Sequence, residues 1–129
     1  MAVFKSFEEI EARQQARELT KLVCAASGTG TFERDFGLRD QVRTASVSIM
    51  SNTAEDNGRG GNKEFIQFLS VARGSAGEVN ARLCVALDQG YVTQEEFERL
   101  REKAVRTGSV ISGLIRYRQS AKLQGSELR

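Results

Sequence analysis

The strongest constraint on the fold lies between residues 65 and 86. There Phe65, Leu69, Ala72, Ala76, Val79, Leu83 and Ala86 recur at alternating spacings of four and three. Over three heptads that spacing puts every one of them on the same side of an α-helix. A helix with one apolar side needs partners to bury it, so the chain must supply matching stripes. It does: Ala12, Ala16, Leu19, Val23 and Ala26 form one, and Leu38, Val42, Ala45 and Ile49 form a second. Phe97, Leu100, Ala104, Thr107, Ile111 and Leu114 form a third. No proline interrupts any of them, and no stretch alternates with period two for long enough to make a strand.

Local signals set the ends. In Ser6-Phe7-Glu8-Glu9 the serine hydroxyl can accept from the Glu9 N–H while the Glu9 carboxylate reaches back to Ser6; Thr93-Gln94-Glu95-Glu96 repeats the device. Asn62 is the expected N-cap of the third helix and Gly90 its stop. The glycine-rich segment 27–37 closes the first helix. Helices are therefore predicted at about 7–26, 38–55, 63–89 and 94–119, with 120–129 a flexible tail. Short connections make neighbours antiparallel, so residues 1–119 are predicted to form one all-α domain, an up-down-up-down four-helix bundle. Gly74, Gly77, Gly108 and Gly113 lie inside helices, each costing about 1 kcal/mol against alanine, and are expected where backbones approach closely. Ile66, Phe68, Val71, Val85 and Leu87, with Val110, Ile115 and Tyr117, lie off the main stripes. Such flanks predict a homo-oligomer in which they meet other subunits.

Charge is unevenly placed. Residues 1–98 carry 11 Lys/Arg against 15 Asp/Glu, whereas residues 99–129 carry 8 against 2. That split points to an anionic partner for the last part of the chain. Cys24 and Cys84 sit in apolar helical stretches with no second cysteine or histidine at ligand spacing, and read as buried thiols of a reducing compartment. With neither the apolar core of a signal peptide nor an apolar run of spanning length, the expected location is cytoplasmic and away from the membrane.

The least ordinary stretch is SNTAEDNGRGGNKEF, residues 51–65. Glu55 and Asp56 sit where a helix ends, but a reversal here carries them to the positive N-terminus of the next helix. Arg59 and Lys63 are counter-charges, and the glycines permit a tight reversal. Asn52 can bridge backbone groups of the turn, so every polar residue has a structural task.

The segment GLRDQVRTASVSIMSNTAEDNGRGGNKEFIQFLSVARGSAGEV resembles a family of four-helix bundle proteins. Many of its members are encoded in intervening sequences of bacterial large-subunit ribosomal RNA genes. The matching positions are Gly37, Leu38, Gln41, Ser48, Ile49, Ser51, Asn52, Ala54, Glu55, Arg59, Lys63, Glu64, Phe65, Ala72, Gly74, Ser75 and Glu78. The resemblance extends over about residues 4–118 and departs from the family at Met50, Asp56 and Arg13. It implies a homopentameric ring with no established enzymatic activity. The accessory protein of diversity-generating retroelements, which binds nucleic acid and a reverse transcriptase, is similar in fold.

Two functions follow as expectations. The first is a non-catalytic oligomer that binds RNA or DNA through Arg99, Lys103 and Arg106, spaced by four and three on the last helix, with Arg116, Arg118 and Lys122 extending the charge. Arg39, Arg43 and Arg73 are weaker candidates, since neighbouring acids can pair with them. The second is a scaffold that docks a protein such as a polymerase. Catalysis is not expected. The chain has no histidine, and Ser48, Asn52, Glu55, Arg59, Lys63, Glu64 and Phe65 are assigned to the structural turn. No metal or cofactor is expected, because Glu55 and Glu64 lack the Glu-x-x-His partner of a bundle metal site.

Overall fold

The computed structural model of the chain describes the backbone of residues 6–54 and 61–128, with side chains up to Ser120. Five helices follow one another: α1 (Phe7–Ser27), α2 (Gly30–Arg34), α3 (Phe36–Ala54), α4 (Gly61–Asp88) and α5 (Gln94–Leu128). The described residues contain no strand. The protein is all-helical, with one short helix more than the stripes announced.

That extra helix has a clear cause. Within the segment expected only to close α1, α2 turns Phe32 inward until 1% of it is exposed, and its ring stacks on Tyr91 at 5.4 Å. A lone phenylalanine in a glycine-rich connection carries no period to read. Asp35 follows directly, its Oδ1 accepting from the Leu38 N–H at 3.1 Å and its Oδ2 from the Tyr91 hydroxyl at 2.8 Å. The carboxylate thus serves as N-cap, and α3 begins two residues before the position expected.

The other ends are mixed. Thr93 and Glu96 form the reciprocal box, each backbone N–H donating to the other's side chain at 3.0 Å. At Gly90 the backbone turns left-handed (φ 75°), the Gly90 N–H donates to Leu87 and the Tyr91 N–H to Ala86, which terminates α4. Ser6 accepts from the Glu9 N–H as expected, but the Glu9 carboxylate is bonded to Arg118. Asn62 is inside α4 and not its cap; its side chain is also bonded to Arg118. Beyond 119 the backbone stays helical to Leu128, across the span expected as a tail, because no proline or left-handed residue stops it.

The core is built from the expected stripes. Ala12, Ala16, Leu19 and Val23 meet Val42 and Ile49, then Leu69, Ala72, Val79 and Leu83, then Leu100, Ala104, Ile111 and Leu114. α1 packs on α3 and α5, and α4 packs on the same two. Early residues of one helix meet late residues of the next: Arg13 donates to Thr53 and Ala54, whereas Arg43 donates to Cys24 and Ser27. Of the off-stripe residues, Val71, Val85 and Tyr117 are exposed, but Ile115 belongs to the core, and Ile66, Leu87 and Val110 pack partly against it. Both cysteines are exposed, contrary to expectation, since each lies one position off its helix's inward face. Gly108 does face the Ala76 side chain, with 3.7 Å between the Ala76 Cβ and a Cβ built on the glycine. Gly74 and Gly77 meet nothing of their own chain. No helix is long and apolar enough to cross a membrane among the described residues.

Candidate nucleic-acid interface

The basic row expected on the last helix lies along the groove between α5 and α1, where acids of α1 face it. Lys103 donates to Glu18 at 2.7 Å and to Gln15 at 3.1 Å. Arg106 donates to Glu11 at 2.8 Å. The Lys103 hydrogen bond and charge hold the Glu18 carboxyl below its ordinary value. The spacing that lines these cations up also aims them at Glu11, Gln15 and Glu18, which recur on α1 at the same intervals. Two of the row's three cations are therefore already paired at the helix seam, whereas Arg99 has no such bond among the described residues.

Arg118 is more deeply engaged. Its guanidinium donates to Glu9 and, at 3.2 Å, to the Asn62 side-chain oxygen, while it lies 4.6 Å over the Phe65 ring. The Asn62 amide donates in return to the Arg118 carbonyl at 2.8 Å. Glu9 and Arg118 side chains are 8% and 15% exposed, so this pair pins α1, α4 and α5 together at one end and is no free phosphate contact. The Lys122 side chain lies outside the described residues.

The motif residues divide in the same manner. Ser48 and Ser75 share a hydrogen bond of 2.9 Å across α3 and α4, and the Asn52 amide donates to the Ser48 hydroxyl and carbonyl. Asn52 thus ties down its own helix, one turn back from where the reversal was expected. Phe65 is buried, and Lys63 and Glu64 are exposed. Glu55 and Arg59, with the reversal itself, lie outside the described residues. Asp40, Gln41, Thr44, Ser48, Ser75, Glu78 and Arg82 line an open groove of about 380 Å³. Its two hydroxyls bond to each other, and among the described residues neither bonds to a carboxylate. No three metal-ligating side chains cluster among the described residues.

Of the weaker arginines, Arg39 pairs with Asp40 at 3.2 Å and lies over the Phe36 ring, and Arg43 donates to Ser27 and the Cys24 carbonyl. Arg73 is exposed and, among the described residues, has neither ion pair nor hydrogen bond. The same is true of Arg99, Arg116 and Arg101. Sequence reasoning passed over Arg101, which stands outside the four-three row; only the packing of α5 on α4 distinguishes its side from that of Lys103.

Residues 8–113 match the family model described as 23S rRNA-intervening sequence protein. Among solved structures, the chain is similar to a protein with unknown function from the S23 ribosomal protein family of Bacteroides thetaiotaomicron. The two are 18% identical, the match covers 85% of this chain and 99% of that one, and the TM-score is 0.77. At that identity the likeness shows the fold alone. No curated protein matches the chain.

Proposed function

The chain belongs to the 23S rRNA-intervening sequence protein family, and from that premise we propose that it is a non-catalytic, self-associating helical protein that binds nucleic acid. We read the four long helices as an up-down-up-down antiparallel bundle over residues 1–119. The reading rests on the counter-running contacts of α1 with α3 and of α1 with α5. Self-association is supported by the apolar side chains left in solvent, Phe7, Ile10, Val47, Val71 and Val85 among them. The resemblance suggests five subunits in a closed ring.

The observation that carries nucleic-acid binding is that several exposed arginines, Arg73, Arg99, Arg101 and Arg116 among them, have neither ion pair nor hydrogen bond among the described residues. Repeated around a ring, modest phosphate contacts sum through avidity. The test is a titration of RNA and duplex DNA binding against salt. Affinity present at about 50 mM salt and falling steeply as salt rises supports the reading. Binding that is absent, or flat with salt, overturns it.

The exposed apolar residues also favour a second reading, a scaffold for a protein partner such as a polymerase. On that reading Val71→Glu and Val85→Glu abolish capture of the partner, while charge removal at the arginines leaves it intact.

A further inference from the structure

We propose that the groove between α3 and α4 seats the outer face of α1 from a second copy of the chain, so that every copy offers its α1 to one neighbour and its groove to the other. The inference rests on the self-association read above and says which two surfaces meet.

The groove has room for a helix. Its floor is short side chains, Ala45 and the bonded hydroxyls of Ser48 and Ser75, so another helix can come close. Along its α4 side Phe68, Val71, Ser75, Glu78, Arg82 and Val85 alternate at spacings of three and four, which keeps them on one face for about 26 Å. Val71 and Val85 are 54% and 45% exposed, so apolar surface lies open at both ends of the row. Between them Glu78 is exposed and has no ion pair among the described residues. The outer face of α1 carries a matching order. Phe7, Ile10, Gln14, Arg17, Lys21 and Cys24 are all exposed and recur at the same spacings. They lie between the side that meets α3 through Arg13 and Thr20 and the side that meets α5 through Glu11 and Glu18. Neither neighbouring helix therefore covers them.

The fold sets the register. α1 and α4 run the same way, since Glu9 near the start of one and Asn62 near the start of the other both bond to Arg118. The Thr107 hydroxyl donates to the Gln15 carbonyl at 3.4 Å and the next residue, Gly108, faces Ala76, so Gln15 lies level with Gly77. Copies related by rotation about an axis along the bundle stay at one height, which places each residue of α1 beside the α4 residue about 62 positions later. The two rows coincide within one residue of that, or about 1.5 Å. In this register Phe7 meets Phe68, Ile10 meets Val71 and Cys24 meets Val85, apolar on apolar, while Gln14 falls over Ser75. Arg17, which has no ion pair among the described residues, meets Glu78. Lys21 comes level with Arg82, the seam's one like-charged pair, and Asp40 lines the groove there. Because two different surfaces of the chain meet, the contact repeats from copy to copy and does not stop at two.

The experiment uses the full chain carrying Cys84→Ser and Val85→Cys, which leaves Cys24 on α1 and places one new thiol on the groove side of α4. Helices packed about 8–10 Å apart bring such a pair within disulfide reach. Diamide oxidation and a non-reducing gel read the link. Light scattering and circular dichroism of Arg17→Glu, Glu78→Arg and the double variant read the charge pair. The expected result is a disulfide ladder extending beyond pairs, absent from the wild type because Cys84 is turned about 100° round α4 from Val85. Each single reversal weakens association about tenfold and the double variant restores it, with helicity unchanged. No ladder, or a double variant no better than the singles, overturns the seam while the wild-type mass keeps self-association standing. Wild-type association in both single variants assigns the groove to another occupant and likewise overturns the seam. A link that stops at pairs means a two-fold contact and overturns the repeating one. A wild type with the mass of one chain overturns the self-association reading itself.

Discussion

Arg118 is the side chain on which one end of the molecule turns. It lies against Phe65, meets Asn62 on α4 and pairs with a Glu9 that water hardly reaches. Removing one member of an enclosed pair leaves the other charge unsatisfied, so Arg118→Met is expected to lower stability by about 3 kcal/mol in urea unfolding. Glu9→Met together with Arg118→Met should recover much of that loss, because neither charge then remains. Asp35 makes a different test. Its pKa is held down first by the Leu38 N–H and then by the Tyr91 hydroxyl. A carboxyl depressed in the folded state stabilises above its unfolded pKa of about 3.9, and that contribution disappears as pH falls through the lower folded value. Melting temperatures of Asp35→Asn should accordingly decline less steeply with acid, below about pH 4, than those of the wild type. The Tyr91 hydroxyl shifts upward for the same bond. Apart from Leu38, none of these partners is a sequence neighbour, which explains why Ser6-x-x-Glu9 read as a reciprocal box when only its serine acts as a cap.

At the scale of the helix, glycines at three places have three different consequences. Gly90 carries a left-handed φ that ends α4, so Gly90→Ala should cost about 1 kcal/mol in the same unfolding experiment. Gly74 and Gly77 have helical backbones and empty space where a methyl group would go. Gly74→Ala and Gly77→Ala should each stabilise the isolated chain by about 1 kcal/mol, read as a higher urea midpoint. Gly108, which faces Ala76 at van der Waals distance, should gain less from the same change. The sequence marks all four internal glycines alike; only the neighbours of each helix tell them apart. Similarly, helices with strong periods were legible to within two or three residues at most ends. α2 was not, because five residues offer no period and its reason for existing is the distant ring of Tyr91.

For the whole molecule, the expected property is association. Light scattering should give a mass several times the 14.3 kDa of one chain. Val71→Glu with Val85→Glu should shift that mass toward a single chain without loss of helicity, if these exposed residues are where subunits meet. A single-chain mass for the wild type at micromolar concentration would contradict the reading. The candidate row on α5 shows how far charge can be judged along one helix. Its periodicity was correct, yet α1 carries acids at the same period, and the two helices neutralise each other along their seam.

The amino-acid order by itself determined that the chain is helical, which face of each long helix is buried and where most helices stop. Those outcomes depend on residues within a turn or two of one another, where backbone geometry fixes who can touch whom. The tertiary arrangement alone decided which cations stay available, since a charge is free or paired according to what the neighbouring helix presents. Lys103, Arg106 and Arg118 met carboxylates 85 to 109 positions away in the chain. Arg73, Arg101 and Arg116 met none among the described residues.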